Sequence, residues 1–421
     1  MNPKAAILSI GGEILDGRIQ DTNANRFIRA LNTIDIPVVN ILSCPDDIIQ
    51  INDSLRFLFL NCDIVLTCGG LGPTTDDLTR EAVAEFTGGN LELNSTAENA
   101  LSAYFERKQR RFDETNRKQA YIPSGSQLIN NEIGSAPGFS INHNGKLIVS
   151  LPGVPRELSL MLKDSVLPLL LSLYPDKQPL HSEILRLFGL PEAAVGGIIE
   201  RASLKPSTKV SYRATFPEIQ LRLLSSSSAE VQEAAKIAAR EIGEEYVFSR
   251  SLDESFPAVL HRLAVESGST IAVAESCTGG MLGSLLTQNS GSSAFFHGGV
   301  ISYSNELKQI LLGVKNKTLS QFGAVSHQTA REMARGARTN ARTAIGVSIS
   351  GIAGPDGGSE EKPVGTFYVG HSTEAETVSY RFFFSGEREA IRRFAAFAAM
   401  DTMRRHLLSL PIHAKEQENE D

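Results

Sequence analysis

Short apolar segments alternate with amphipathic segments through the N-terminal part of the chain. Continuous apolar runs predict buried parallel strands over residues 5–10, 38–42 and 63–67. Apolar residues at helical spacing predict helices over residues 21–31 and 46–60. Because strands and helices alternate, the pattern predicts a doubly wound α/β sheet.

The same alternation returns in the C-terminal part of the chain. Apolar runs predict strands over residues 270–274, 295–302, 344–349, 365–370 and 382–385. Amphipathic runs predict helices over residues 256–266, 281–286 and 389–408, together with a helix that starts at Ser304 or Asn305. These elements predict a second α/β sheet.

A small α+β arrangement is predicted between these two parts. Its strands are expected over residues 182–188, 209–212 and 219–224, and its helices over residues 191–201 and 228–242. We therefore predict a first α/β domain over residues 1–172, a small domain over 173–250 and a second α/β domain over 251–412. An acidic tail, residues 413–421, is expected to be a solvated terminus.

Proline and glycine are concentrated over residues 121–155, which also include a predicted strand at 146–151. These turns are either structural or supply backbone contacts for a ligand. An amphipathic helix is predicted over residues 158–174, where Lys163 and Asp164 interrupt the apolar run too early for a membrane span.

Composition excludes several classes of protein. The chain of 421 residues is 41% hydrophobic and 21% charged, which is typical of globular domains with apolar cores. Its net charge of −7 gives no basic footprint, so we expect no direct binding of nucleic acid. The four cysteines form no Cys-x-x-Cys pair and the N-terminus resembles no signal peptide, so a cytoplasmic protein with reduced thiols is expected.

Acidic residues follow each of the first three predicted strands. They are Glu13 and Asp16, then Asp46 and Asp47, then Asp76 and Asp77. Because parallel strands bring their carboxyl ends to one edge of a sheet, these acids could converge there. Carboxylates suit Mg²⁺ or Mn²⁺, and nearby glycines would let backbone N–H groups approach phosphates. The alternative is that each acid caps a helix.

Ser276 follows the predicted strand at 270–274 and precedes two glycines and a helix. A serine in this position could be a nucleophile beside an oxyanion hole, or simply a helix N-cap. Lys308 is predicted in the first turn of a helix, where the dipole and burial would lower its pKa and allow general-base catalysis. The alternative is a solvated surface lysine.

Two further features could contact an anion. Arg388 lies at the predicted start of a helix, where it could bind an anion through two N–H groups or be an ordinary surface arginine. The glycine-rich loop at residues 350–358 could admit a phosphate or be only a turn.

Several motifs of the N-terminal part resemble one family. Gly12-Glu13-Ile14 with Asp21-Thr22-Asn23, together with the segments at 69–79, 136–138 and 151–155, are similar to the N-terminal domain of the competence/damage-inducible CinA family. That domain is similar to the molybdopterin-binding fold. The resemblance implies functional roles for Asp46 and Asp77, and metal-dependent ADP-ribose pyrophosphatase activity in some members.

The implied nucleotide site includes eight residues and a divalent metal of unknown identity. They are Glu13, Asp46, Gly70, Gly72, Thr74, Asp76, Asp77 and Gly138, with Asp76 and Asp77 as metal ligands. In CinA-like proteins the middle part is a KH-like domain. This segment has no Gly-x-x-Gly loop, so we expect it to join the two larger domains or to form a homodimer rather than to bind RNA.

The C-terminal motifs resemble the nicotinamide mononucleotide (NMN) deamidase domain of the CinA family. They are the segments at 274–280 and 291–293, Tyr303-Ser304-Asn305 with Lys308, and the segments at 323–326 and 350–363. The resemblance implies that Ser276 attacks the carboxamide, Lys308 takes its proton and Tyr303 assists. It implies no cofactor for this domain.

The remaining expected site residues surround the serine. The N–H groups of Cys277 and Thr278 are the candidate oxyanion hole, and the substrate is expected to contact Gly279, Gly351, Gly354 and Arg388. Two alternatives stay open: deamidation alone, with an N-terminal domain that only binds a nucleotide or pterin, or a scaffold linked to competence or DNA damage. If Ser276 is not the nucleophile, Cys277 is the next candidate.

Overall fold

Each half of the chain is built around a six-stranded mixed sheet. The computed structural model describes residues 2–412 and 416–419, and the chain divides into two units, residues 1–181 and residues 182–421. Within each unit, helices cover both faces of the large sheet, which confirms the predicted α/β class.

Four strands of the first unit agree closely with the predicted apolar runs, namely those that begin at residues 5, 38, 64 and 146. The strands of this unit are β1 (Ala5–Ile10), β2 (Val38–Cys44), β3 (Ile64–Cys68), β4 (Leu91–Leu93), β5 (Tyr121–Pro123), β6 (Gln127–Ile129), β7 (Gly138–His143) and β8 (Lys146–Leu151). The helices are α1 (Gly12–Leu15), α2 (Asn23–Asn32), α3 (Ile48–Leu58), α4 (Thr79–Thr87), α5 (Ser95–Arg107), α6 (Glu114–Arg117), α7 (Pro155–Met161) and α8 (Leu167–Leu173).

The large sheet of the first unit has the order β2-β1-β3-β8-β7-β6. The strands β2, β1, β3 and β8 are parallel to one another. β7 pairs antiparallel with β8, and β6 pairs antiparallel with β7. All of β1 is buried because both faces of the sheet are covered: Ile7 packs with Phe27 on one face, and Leu8 packs with Ile51 on the other. The carboxyl ends of the parallel strands therefore form one edge of this sheet.

The last helical segment of this unit contains a wide turn. A π-helical turn, Leu162–Val166, joins α7 to α8. Pro168 has no N–H to donate to the carbonyl of residue 164, so a regular α-helix cannot continue through this position. In the described part of the chain, no helix is both long enough and apolar enough to span a bilayer.

The second unit contains a small sheet and a large one. Its strands are β9 (His181–Leu187), β10 (Lys209–Thr215), β11 (Glu218–Ser225), β12 (Val247–Ser249), β13 (Ile271–Glu275), β14 (Phe296–Ile301), β15 (Ile345–Gly351), β16 (Thr366–Ser372), β17 (Thr377–Phe383) and β18 (Glu416–Asn419). Its helices are α9 (Glu192–Arg201), α10 (Ser228–Ile242), α11 (Phe256–Ser267), α12 (Met281–Leu286), α13 (Asn305–Leu312), α14 (Asn316–Phe322), α15 (His327–Ala341) and α16 (Arg388–Leu407).

The small sheet has the order β10-β11-β9-β12 and packs against α9 and α10 through one apolar core. Two aromatic residues, Phe188 just after β9 and Phe248 within β12, belong to a different core. Phe188 and Phe248 pack against Phe256, with ring centroids 5.7 and 4.5 Å away, and Phe188 also contacts Phe397 of α16. The small sheet and the large sheet of this unit therefore share an apolar core.

The large sheet of the second unit has the order β14-β13-β15-β16-β17-β18. The strands β14, β13 and β15 are parallel, and the later strands are antiparallel. Within the predicted acidic tail, Glu416–Asn419 pair with β17 as an edge strand. Residues 413–415, Glu420 and Asp421 lie outside the described residues.

Candidate functional site

Ser276 lies directly after β13, at the edge formed by the parallel strands of the second unit. Its backbone N–H donates to the carbonyl of Ile349 at 3.0 Å, which fixes it to the end of β15. The chain then turns through Gly279 and Gly280, whose φ angles of 60° and 97° favour glycine. Ser276 is 9% exposed, so its hydroxyl lies in a confined polar environment.

Lys308 contacts the hydroxyl of Ser276. The Lys308 Nζ lies 3.1 Å from Ser276 Oγ, 2.7 Å from the carbonyl oxygen of Ser302 and 3.4 Å from that of Tyr303. A neutral amine has two N–H donors and one lone pair. If the two carbonyls accept the N–H groups, the lone pair is left to accept the hydroxyl proton of Ser276.

Burial lowers the pKa of Lys308, because desolvation disfavours its charged form. Its side chain is 1% exposed although it lies in the short helix α13, whose N-cap Ser304 accepts a hydrogen bond from the Leu307 N–H at 3.1 Å. The predicted helix start and the buried lysine are therefore both observed, and the alternative of a solvated lysine is wrong.

Glu275 has a role that sequence analysis missed. Its buried carboxylate accepts hydrogen bonds from the N–H groups of Gly280, Leu282 and Gly283 at 3.0, 3.1 and 2.8 Å. It therefore caps α12, which begins at Met281. Gly280 is the N-cap of this helix, so the alternative of Ser276 as its N-cap is wrong.

Arg392 of α16 holds the turn that follows the serine. Its Nε donates to the carbonyl of Cys277 at 3.2 Å and its Nη2 donates to that of Thr278 at 2.8 Å. Within the described part of the chain, the N–H groups of Cys277 and Thr278 have no acceptor. These two donors lie next to the nucleophile candidate and remain available for an oxyanion.

Three of the predicted site residues, Tyr303, Gly354 and Arg388, form a chain of hydrogen bonds beside Lys308. Arg388 donates to the carbonyl of Gly354 at 2.6 Å and to the hydroxyl of Tyr303 at 3.2 Å. Tyr303 is 63% exposed, so its phenol lies at the surface while its carbonyl contacts Lys308. Arg388 is also exposed, with further N–H groups that could bind an anion.

Two other predicted residues serve the backbone. A Cβ at Gly351 would lie 2.4 Å from the Cβ of Phe367, so this glycine permits close packing of β15 on β16. Gly279 allows the turn described above. Both glycines are therefore explained by the backbone and not by a contact with substrate.

Cys277 is a poor nucleophile in this environment. Its thiol is buried, and burial raises the pKa of Cys277 to about 12. The thiolate is the reactive form of cysteine and is scarce at such a pKa. By contrast, two buried hydroxyl oxygens, those of Thr278 and Ser302, have no hydrogen-bond partner among the residues that the structure describes. Unpartnered buried polar atoms of this kind are common where a ligand or water binds.

A cavity of about 540 Å³ lies at the carboxyl ends of the parallel strands in the first unit. Six of the predicted site residues line it: Glu13, Asp46, Gly70, Gly72, Asp76 and Asp77. Gly138 and Thr74 do not. Gly138 is a packing residue, since a Cβ there would lie 2.6 Å from the carbonyl oxygen of Ser150, and Thr74 contacts Asp77 inside its own loop.

Asp77 shapes the glycine-rich loop that follows β3. Its carboxylate accepts from the N–H of Gly72 at 2.7 Å, from the N–H of Thr74 at 2.8 Å and from the Thr74 hydroxyl. Buried Arg80 braces the same loop by donating to the carbonyls of Leu71 and Gly72 at 2.5 and 2.9 Å. The loop is therefore fixed by hydrogen bonds before any ligand arrives.

The carboxylates of Asp46 and Asp76 are less engaged in hydrogen bonds with the protein than that of Asp77. Asp46 accepts one hydrogen bond, from the Gly12 N–H at 3.2 Å, and burial together with the negative charges of Glu13, Asp76 and Asp77 raises its pKa. Asp76 is exposed, and the nearby polar side chain of Thr74 lowers the pKa of its carboxyl. Gln119 and Glu157 also line the cavity and were not predicted. Gln119 precedes a short strand and follows none of the parallel strands directly, whereas Glu157 lies in α7, just after β8.

A divalent cation is compatible with this donor set. In residues 2–412 and 416–419, no group of three or more His, Cys, Asp or Glu side chains is arranged to hold a metal. Mg²⁺ is often held by one or two carboxylates together with substrate phosphates, and Asp46 and Asp76 can supply such oxygens. Asp77 suits this role less well because its oxygens already accept three hydrogen bonds.

Comparisons with known proteins identify both units. The family model "CinA C-terminal domain" matches residues 253–407, and the model "Probable molybdopterin binding domain" matches residues 6–172. A CinA-like protein from Geobacter sulfurreducens is 41% identical over 418 residues, covering 96% of this chain and 100% of the relative. A CinA-like protein from Citrifermentans bemidjiense is 40% identical over 412 residues, covering 96% and 98%.

Part of the chain is also similar to solved structures. A competence-damaged protein (CinA) superfamily protein from Klebsiella pneumoniae is 33% identical, with a TM-score of 0.36. The match covers 37% of this chain and 96% of that protein.

Glu275→Gln should destabilise the second unit. Glutamine replaces one acceptor oxygen by an amide that cannot accept an N–H, which leaves at least one buried donor unpaired at a cost of about 1–3 kcal/mol. Thermal unfolding followed by circular dichroism should show a lower midpoint for this variant. Glu306→Gln removes a charge from an exposed residue and is the matched control. Equal midpoints for both variants would contradict the capping role.

Proposed function

The chain belongs to the CinA family, and we propose that its C-terminal part is a Ser–Lys amidohydrolase that converts NMN to nicotinate mononucleotide and ammonia. The observation that carries this proposal is the 3.1 Å contact between Lys308 Nζ and Ser276 Oγ. A buried lysine with a lowered pKa beside a serine hydroxyl is the arrangement that general-base activation of a nucleophile requires.

In the first half of the proposed reaction, Lys308 takes the hydroxyl proton as Ser276 Oγ bonds to the carboxamide carbon. The negative charge that develops on the carboxamide oxygen is stabilised by the N–H groups of Cys277 and Thr278, which Arg392 keeps in place through their carbonyls. The ammonium of Lys308 then gives its proton to the nitrogen, the C–N bond breaks, and ammonia leaves.

The second half reverses these roles with water as the nucleophile. Lys308, neutral again, takes a proton from water, and the hydroxide oxygen bonds to the acyl carbon. The bond between this carbon and Ser276 Oγ breaks as the serine regains a proton from Lys308. The product is nicotinate mononucleotide, and the serine and lysine return to their starting forms.

In this proposal, Arg388 and Tyr303 hold the anionic substrate. Arg388 is positioned by its hydrogen bonds to Gly354 and to Tyr303, which leaves other N–H groups of its guanidinium for the phosphate of NMN. Tyr303 contacts Arg388 through its exposed phenol and Lys308 through its carbonyl, so it lies next to both the proposed phosphate-binding residue and the proposed base.

We further propose that the first unit hydrolyses ADP-ribose to AMP and ribose 5-phosphate with a divalent metal. Asp46 and Asp76 would hold the metal, which supplies a Lewis acid for the diphosphate. The hydrogen-bonded loop at residues 69–77 keeps its backbone in place at the edge of the cavity. Gly70 and Gly72 permit this tight loop, because a Cβ would lie 2.2 Å from Thr79 Oγ1 and 2.5 Å from Asp77 Oδ2, respectively.

A second function for the first unit is binding without catalysis. The matching family model is described as a molybdopterin binding domain, and Asp77 is engaged in shaping its loop. On this alternative the same cavity holds a pterin or nucleotide and leaves it unchanged. Product analysis with ADP-ribose separates the two functions.

Ser276→Ala should abolish ammonia release from NMN, with a loss in kcat/KM of at least roughly 1,000-fold. Cys277→Ala should retain activity within a few-fold, because the buried thiol takes no part in the reaction. Ammonia production by the purified full-length variants is the measurement, with thermal midpoints as a check on folding. Ammonia release at the wild-type rate by Ser276→Ala would remove the basis of the mechanism.

The pH dependence should report Lys308. The neutral amine is the active form, so kcat/KM should rise with pH and level off above the pKa of Lys308, which burial places below the usual value of about 10.4. Rates measured above pH 7, where the NMN phosphate is ionised, isolate this group. Lys308→Met should lose both the activity and the rise of kcat/KM with pH. Lys317→Met, at an exposed lysine, should keep both. Substantial turnover by Lys308→Met would refute the assignment.

Asp46→Asn and Asp76→Asn should each reduce ADP-ribose cleavage by roughly 10-fold to 100-fold or more, and EDTA should stop it. Ammonia release from NMN should stay unchanged because the reactions occur in different units. AMP formation can be followed by chromatography. Asp53→Asn, at an exposed aspartate paired with Arg56, is the control. ADP-ribose left intact by the wild type with Mg²⁺ or Mn²⁺ would favour the binding function instead.

A further inference from the structure

The cavity of the first unit that is lined by Glu13, Asp46, Asp76 and Asp77 is called the acidic cavity. A second cavity adjoins it. Its volume is about 450 Å³, and Val154 and Glu157 line both cavities. Cations and an aromatic ring line the rest of it: Tyr104, Arg107, Lys108 and Arg156, with Glu132 as a further acid. We call it the basic cavity.

The cations of the basic cavity are not neutralised by the protein. In residues 2–412 and 416–419, no carboxylate lies within ion-pair distance of Arg107, Lys108 or Arg156. Of the two acids in the cavity, Glu157 accepts a hydrogen bond from Asn131 Nδ2 at 2.8 Å. Three cations therefore face two carboxylates without pairing with them, which leaves a positive excess.

Arg156 is in an electrostatically unfavourable position. It is the second residue of α7 (Pro155–Met161), and the positive end of the helix dipole disfavours a cation in a first turn. Arg107 and Lys108 lie at the C-terminal end of α5, where the dipole favours cations. Helix stability explains those two residues but not Arg156, for which a bound anion would supply a reason.

The two adjoining cavities differ sharply in charge. Six carboxylates and no lysine or arginine line the acidic cavity among the described residues: Glu13, Asp21, Asp46, Asp76, Asp77 and Glu157. Such a cavity favours a cation and disfavours a free anion. A ligand that spans both cavities would place a metal-bound group in the first and an unmetallated anion in the second.

We propose that the basic cavity binds a phosphate monoester on the ribose of the nucleotide whose other end occupies the acidic cavity. This inference rests on the proposed nucleotide site and names its preferred substrate class as nucleotides with an additional ribose phosphate. Arg156 and Arg107 can donate paired N–H groups to phosphate oxygens, and Lys108 adds a point charge. Tyr104 lies where a base or sugar could pack against its ring.

Binding of three mononucleotides that have no diphosphate to cleave tests the proposal. Calorimetry with the full chain and Mg²⁺ would compare AMP, adenosine 2′,5′-bisphosphate and adenosine 3′,5′-bisphosphate at physiological salt. At least one bisphosphate should bind roughly 10-fold or more tightly than AMP, since a charge-assisted contact is worth about that factor. The two bisphosphates identify which ribose hydroxyl carries the phosphate.

Three variants separate a local contact from general electrostatics. Arg156→Ala and the double variant Arg107→Ala/Lys108→Ala should each reduce the bisphosphate preference towards one and leave AMP binding within about 2-fold. Arg111→Ala, which removes an exposed cation outside the cavity, should keep the preference. Equal binding of AMP and both bisphosphates by the wild type, or a preference that survives in both cavity variants, overturns the proposal.

Hydrolysis of ADP-ribose by the same preparation distinguishes this inference from the function on which it rests. If ADP-ribose is cleaved and the bisphosphates have no advantage, the inference alone fails. If none of the nucleotides binds and ADP-ribose stays intact, both the inference and the nucleotide site fail. Thermal midpoints of the variants within a few degrees of wild type confirm that lost preference is not lost folding.

Discussion

An amine buried without a carboxylate partner is costly to keep charged, and Lys308 is in this position. In the described part of the chain, no carboxylate lies within ion-pair distance of its Nζ. Its hydrogen-bond partners are the carbonyls of Ser302 and Tyr303 and the hydroxyl of Ser276, none of which carries a compensating negative charge. The surrounding structure depends on this constraint, because β13, the turn after β14 and the start of α13 must meet around one buried amine.

A second constraint is common to both units. Each large sheet is parallel on one side and antiparallel on the other, and each candidate site lies at the carboxyl ends of the parallel strands. The same edge carries different chemistry in the two units: carboxylates around a glycine-rich loop in one, and a serine with a lysine in the other. The chemistry therefore follows from the residues at the strand ends rather than from the fold.

Local patterns predicted much of the fold, because apolar runs such as β1 and β8 are buried on both faces. Other elements carry weak signals: α15 buries mainly small residues and was not predicted. The Ser276–Lys308 pairing came from a family resemblance, since no local pattern joins residues 32 positions apart. Glu275 and Arg392 were missed for similar reasons. One caps a helix from the preceding strand, and the other reaches the serine turn from 115 positions away.

The shared core of the second unit bears on how this chain can be divided. Phe188 and Phe248, from the segment before residue 251, cover the rings of Phe256 and Phe397. The family match that begins at residue 253 is therefore a boundary of sequence similarity and not of packing. A shorter protein cut at that position would present uncovered aromatic rings to water and invite self-association. Recombinant fragments meant to isolate the serine chemistry are better started near residue 182.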